Sequence, residues 1–175
     1  MASTGSNSSQ SLKGPTRPDH ITKIRLQFKT FLSEATGFYH DLIVKIRAKY
    51  GLPLGYLSED SENRIVMDKD GQKGLISCHR CLIYLGDLAR YKGLYGEGDS
   101  KTREYAAASS YYLQAASCSP SSGNPHHQLA ILASYSGDEV VTVYQYFRSM
   151  TVDNPFSPAR DNLIVAFEKL WSLVE

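Results

Sequence analysis

Apolar residues return at every third or fourth position from Ile21 to Ile46. Ile21, Ile24, Phe28, Phe31, Leu32, Ala35, Phe38, Leu42, Ile43 and Ile46 fall on one broad stripe. The spacing predicts a helix over 20–50, about 45 Å long at 1.5 Å per residue. Gly51 and Pro53 close it, and Asp19 stands where a cap belongs. The stretch 51–73 mixes Gly, Pro, Asp and Lys around a short apolar patch, Ile65 to Met67. It reads as a long loop holding at most a fragment of strand. Helical spacing resumes over 75–93, 103–118, 125–136, 138–151 and a terminal helix at 157–174, whose face carries Leu163, Ile164, Phe167 and Trp171. The breaks are KGLYGEGDS, SPSSGNP, the tight SGD at 136–138, and VDNPFSP, with Ser100 or Thr102, Asp138 and Ser157 as expected caps. Nothing reads as sheet, so the chain is expected to be all-α.

A rhythm runs twice through the central helices. Leu82, Leu85 and Gly86 are followed by Ala108, Tyr112, Ala115 and Pro120. Then His126, Leu129 and Ala130 are followed by Thr142, Tyr146, Ser149 and Pro155. Large, Leu-small, then small, aromatic, small, Pro is the signature of a tetratricopeptide helix hairpin. Small residues let two antiparallel helices approach, and large ones fill the gaps left between them. Such repeats bind peptides or proteins and rarely perform chemistry. The first unit departs from the pattern. About ten extra residues, including Gly93, Gly96 and Gly98, separate its two halves and are expected to bulge from one end of the hairpin.

Composition narrows the class further. A chain of 175 residues fits one domain. Residues 1–18 hold too few apolar side chains to offset ordering entropy and read as a disordered leader, with one helical domain over 19–175. Nineteen basic against eighteen acidic residues leave a net charge of +1, so bulk charge does not point to nucleic acid. Three cysteines, Cys78, Cys81 and Cys118, are too few and odd in number for a disulfide framework. With no apolar run of about 20 residues and no secretory signal, the expected setting is cytosolic or nuclear, away from membranes.

Most candidate motifs reduce to ordinary structure. Cys78-His79-Arg80-Cys81 lacks the second pair of ligands a zinc site needs and the βαβ setting of a redox motif. It reads as small apolar side chains on a buried helix. GEGDSKT at 96–102 lacks the spacing and the preceding strand of a phosphate loop. Asp68-Lys69-Asp70-Gly71 has its glycine misplaced for a calcium loop and reads as a turn. No nucleophile elbow is present, so no catalytic residue, cofactor, metal or small-molecule substrate is expected. The bases of the long helix, Lys23, Arg25, Lys29, Lys45, Arg47 and Lys49, lie mostly off its stripe. They suit a solvated face, or alternatively the wall of an anion-binding groove. Arg90-Tyr91 differs: a guanidinium fork beside a phenol can grip one phosphate, with Asp87 one turn earlier to hold the arginine. On chemistry alone a structural Asp–Arg pair beside a packed tyrosine fits these three residues better.

The segments SEATGFYHDLI (33–43), CLIYLGDLARY (81–91), SYYLQAASCSPSSGNPHHQLAILASYSGD (110–138) and YQYFRSM (144–150) followed by NPF (154–156) carry a resemblance. Over residues 13–169 the chain resembles the nonsense-mediated mRNA decay adaptors related to the telomerase-associated ever-shorter-telomeres proteins. The resemblance implies a 14-3-3-like helical array with tetratricopeptide hairpins. It implies an adaptor that binds phosphoserine or phosphothreonine peptides on the phosphorylated up-frameshift RNA helicase and joins it to the mRNA decay machinery, in the cytoplasm, including processing bodies, and the nucleus. By motif, Arg90 and Tyr91 match the pair that holds phosphate, with Asp87 in support. The partner base of that family lies on a helix upstream of 20–50 and has no counterpart here, nor do the hairpins beyond the repeats. The chain is thus expected to be shortened at both ends, with Lys23, Arg25 or Lys29 as candidate substitutes. The telomerase branch offers a second expectation, contact with telomerase RNA or telomeric DNA. A protein-interaction scaffold without phosphate binding is a third.

Overall fold

A computed structural model of the chain describes residues 17–52, 69–96 and 98–172. Among them are six helices and no strand: α1 (Arg17–Tyr50), α2 (Lys69–Leu94), α3 (Gly98–Cys118), α4 (Asn124–Ser136), α5 (Glu139–Thr151) and α6 (Ala159–Trp171). The protein is an all-α helical array. Residues 1–16 of the expected leader, the Ile65–Met67 patch, Asp68, Glu97 and residues 173–175 lie outside the described residues.

Three boundaries differ from the sequence reading. The long helix opens at Arg17, so the helix takes in the last residues of the expected leader and carries Pro18 in its first turn, where a missing N–H costs nothing. The Asp19 side chain lies outside the described residues. Lys69 to Lys73, read as loop and turn, open α2, where Lys73 pairs with Asp70 at 2.8 Å. The extra residues of the first repeat do not bulge out. They lengthen both helices, leaving only 95–97 between them. The reason lies in the packing register. An added Cβ at Gly86 would stand 2.3 Å from the Tyr112 ring, and one at Gly93 would stand 2.4 Å from Tyr105. The two glycines are seven residues apart on α2, and their tyrosines are seven apart on α3, in the opposite sense. Two more turns of the same small-against-aromatic contact therefore extend the hairpin. Ser100 and Thr102 consequently lie within the bounds of α3 and do not precede it.

Each helix packs chiefly on its neighbours in the chain, the one-dimensional arrangement of a repeat array. Three core clusters follow one another. Ile43, Cys78, Leu82, Leu85 and Ala115 join α1, α2 and α3. Ala89, Ala108, Tyr112, Leu129 and Leu132 join α2, α3 and α4. Ala130, Val143, Tyr146, Ala159 and Ala166 join α4, α5 and α6. Turn chemistry fixes the joints. Gly137 takes φ +72° and closes α4, and Asp138 caps α5 by accepting from the Val141 N–H at 3.1 Å. Ser157 is no cap; Pro158 precedes α6 without a side-chain bond. The linkers SPSSGNP and VDNPFSP pair with each other: Asn154 N–H donates to Ser121 O at 2.8 Å, and Gly123 N–H to Asn154 O at 3.0 Å.

The α1 stripe divides in use. Tyr39, Leu42, Ile43, Ile46 and Tyr50 pack on the first cluster, and Leu32 is buried. Ile21, Ile24, Phe31 and Phe38 remain 47–60 % exposed. The stripe is wider than the strip of α2 that covers it.

Candidate functional site

The site grows from a packing contact. Because Gly86 carries no Cβ, the Tyr112 ring lies directly against α2, and its phenol reaches the next side chain. Tyr112 OH donates to Asp87 Oδ1 at 2.8 Å. Arg90, one turn later, donates from Nη2 to the same oxygen, from Nε to the Tyr112 Oη and from Nη1 to the Tyr135 Oη on α4, each at 3.4 Å. Tyr91 supports the guanidinium through its ring face, 4.7 Å from the ring centre. The Tyr135 ring leans on Tyr105 at 5.6 Å. A single arginine thus ties together the first and second hairpins.

Electrostatics follow from burial. The Arg90 side chain is 12 % exposed. Burial works against its charge, yet the Tyr112 and Tyr135 bonds and the Asp87 carboxylate outweigh it, and its pKa lies above the ordinary value. Burial and then the Asp87 charge push the Tyr112 phenol well up, so it stays a donor at any ordinary pH. The guanidinium has five N–H donors, and three are engaged at the long end of hydrogen-bond distance. The other two have no partner among the described residues. His127 is buried nearby, and its pKa is lowered by that burial and by the Arg90 charge. Asn162 Nδ2 donates to its Nε2 at 3.1 Å, so the neutral ring carries its hydrogen on Nδ1, which has no partner among the described residues.

The structure brings Asp87 and Arg90 into contact and stacks Tyr91 beneath them. The three α1 bases stand elsewhere. Arg25 and Lys29 line a cleft of about 220 Å³ with Leu94, Tyr95 and Gly96. Lys29 also lines one of about 250 Å³ with Lys92 and Glu104. Neither cleft includes Arg90, and Lys23 lines neither. Tyr91 and Asp87 also face an open groove of about 520 Å³ between α1 and α2, walled by Phe31, Glu34, Phe38 and Tyr84. Sequence reading missed Tyr112 and Tyr135 as polar groups. Tyr112 was legible only as a packing residue opposite Gly86; Tyr135 carried no signal. Cys78, Cys81 and Cys118 are all buried, and burial raises the Cys78 and Cys81 thiols.

These features define a tetratricopeptide-type helical array with a shielded, permanently charged arginine at the seam of two hairpins. Residues 3–96, more than half of the chain, match the family described as telomerase activating protein Est1. Residues 108–175 match the Est1 DNA/RNA binding domain. The chain belongs to the Est1 family. It is 66 % identical to the nonsense-mediated mRNA decay factor SMG7 of Arabidopsis thaliana, over 97 % of this chain and 16 % of that protein. It is 33 % identical to the SMG7 factor of Danio rerio, over 85 % of this chain and 12 % of that protein. It is 33 % identical to the telomerase-binding protein EST1A of the same fish, over 86 % and 10 %. The chain thus spans about a sixth of the length of the curated relatives it matches, or less. No helix among the described residues is long and apolar enough to cross a membrane.

Proposed function

We propose that the chain is a phosphoserine- and phosphothreonine-peptide-binding module of a nonsense-mediated mRNA decay adaptor, and that it takes the phosphorylated up-frameshift RNA helicase as its partner. The observation that carries this reading is Arg90: a partly shielded guanidinium with two N–H donors that meet no partner among the described residues, held in place by Asp87, Tyr112 and Tyr135. Low exposure weakens water's competition for the charge, so an arriving phosphate gains more from each bond. Relatives named for mRNA decay supply the setting, and with it a cytoplasmic and nuclear location. Binding alone accounts for the site, and no catalytic step is assigned.

The test is a titration with a phosphorylated peptide and its unphosphorylated twin. The wild type is expected to prefer the phosphorylated form. Arg90→Ala is expected to lose at least about tenfold in affinity, since a hydrogen bond to a charged group contributes about 1.5–3 kcal/mol. Arg90→Lys keeps the charge but loses the fork, and should fall in between. Equal affinity of the wild type for the two peptides would refute the reading.

Two observations favour other readings. The match to a DNA/RNA binding domain over residues 108–175 supports contact with telomerase RNA or telomeric DNA. Such binding should weaken steeply between low and moderate salt. The exposed Ile21, Ile24, Phe31 and Phe38 support a protein-interaction scaffold without phosphate binding, for which size in solution is the measurement.

A further inference from the structure

We infer that a single-stranded polynucleotide binds at the end of the array where α1, α2 and α3 meet. Tyr95 is its stacking platform, and Arg25, Lys29 and Lys92 are its phosphate contacts. The site stands apart from the phosphopeptide reading, because Arg90 lines neither cleft there. It also lies wholly before residue 108, outside the segment that matches the DNA/RNA binding domain. The two clefts, of about 220 and 250 Å³, share Lys29, Tyr95 and Gly96 and so adjoin. Arg25 and Lys29 stand one turn apart on α1, Lys92 lies in the last turn of α2, and Glu104 of α3 lines the second cleft.

Charge is concentrated here, although the whole chain carries only +1. Three cations and one carboxylate line the two clefts, and none of the three cations makes an ion pair or hydrogen bond among the described residues. Lys92 offsets the carbonyl end of α2. Arg25 and Lys29, brought from another helix, add charge beyond that. An aromatic ring stands among them. Tyr95 is 50 % exposed, and Phe28 braces it edge to face with ring centres 5.2 Å apart. A ring already held in place loses little freedom when a base stacks on it. A positive trough beside a fixed, exposed ring suits a single strand: phosphates meet the cations while a base lies on the ring. A duplex keeps its bases inside and cannot use that ring. Glu104 favours the same ligand over an acidic or phosphorylated peptide. Its carboxylate repels a further anion but accepts from the amino group of cytosine.

The experiment titrates short fluorescent oligo(rC), oligo(rU), oligo(dC) and a mixed-sequence duplex with the whole chain at rising salt. The wild type is expected to bind the single strands and to prefer them to the duplex. Lys29→Ala is expected to lower the slope of log affinity against log salt by about 0.7, the share of one phosphate contact on a single strand. Tyr95→Ala should lose at least about fivefold in affinity, while Tyr95→Phe, which keeps the ring, stays within about twofold. Glu104→Gln should narrow the preference for oligo(rC) over oligo(rU). Lys45→Ala, toward the other end of α1, is the control and should leave affinity unchanged. Thermal midpoints matching wild type separate these losses from a folding defect. Arg25 and Lys29 are exposed, so their alanine variants test the site even if Tyr95→Ala unfolds. Binding of either single strand supports the site, and the tighter of RNA and DNA names its source. No binding by the wild type at low salt, equal binding of the duplex, or losses no larger than that of Lys45→Ala would overturn it. If the Arg25 and Lys29 variants instead lose a phosphorylated peptide and keep the oligonucleotides, the trough is a peptide subsite. This inference then falls while the phosphopeptide reading stands.

Discussion

Gly86 and Tyr112 show how one missing methyl group builds a polar site. The ring can lie on the helix only because no Cβ intervenes, and only then does its phenol reach Asp87. Gly86→Ala places an atom 2.3 Å from the ring. It is expected to destabilise the fold by about 1–3 kcal/mol, the usual cost of overpacking, despite alanine's better helix propensity. A urea midpoint below that of the wild type checks it; an unchanged or higher midpoint contradicts the contact. Histidine makes a second prediction at this scale. His79, His126 and His127 are buried, and burial lowers each pKa below its unfolded value. Between the unfolded value of about 6.5 and the lower folded ones, the unfolded chain binds more protons. Stability is therefore full above pH 6.5 and declines as pH falls below it. His127→Phe keeps a ring against Tyr146 and Phe156 and should flatten that decline, as read from urea midpoints at pH 7 and pH 5.

Single elements owe their limits to turn chemistry, which a sequence displays openly. The SGD turn at 136–138 is the clearest case, with the break and the Asp138 cap legible in advance and the left-handed Gly137 found at its centre. Asp138→Ala removes the acceptor of the Val141 N–H and is expected to cost about 1 kcal/mol, measured by chemical denaturation; Asp138→Ser should recover most of it. Other limits were not legible. The start of α2 at Lys69 lies in a stretch of glycine and charge with low helix propensity. Packing against α1 decides it: Tyr50 of α1 covers Gly74 so closely that a Cβ there would stand 2.8 Å from the ring. The same holds for the long α2–α3 hairpin, where Gly93 looks like a breaker until Tyr105 is seen lying on it.

As a whole, the molecule is a row of helices in which each leans on the next. Stability in such an array is distributed and falls toward elements with a neighbour on one side only. Native-state hydrogen exchange should report this directly. Amides from Ile21 to Thr30 of α1, where Ile21 and Ile24 are half exposed, should exchange faster than those from Leu82 to Ala89 of α2, which is packed by α1 and α3. Uniform protection across the two segments would contradict the one-dimensional picture. Beside the Asn162–His127 bond between α6 and α4, the seam at Arg90 is one of the exceptions to strict neighbour packing. Its bonds to Tyr112 and Tyr135 couple the two repeats, so a ligand held there would stiffen the array as well as mark it.

By itself the sequence determined the fold class, the order of the helices, the two hairpins and the Asp138 cap. These depend on spacing and on residues close in the chain, where periodicity and turn preference act directly. It also placed Asp87, Arg90 and Tyr91 together, because one helix turn separates them. Only the tertiary structure decided which polar groups surround that arginine. Tyr112 and Tyr135 stand 22 and 45 residues from Arg90 along the chain, and nothing in local pattern distinguishes a tyrosine whose ring packs from one whose hydroxyl completes a site. That choice was made by the depth to which Gly86 admits its neighbour, a distance between helices that no stretch of sequence encodes alone.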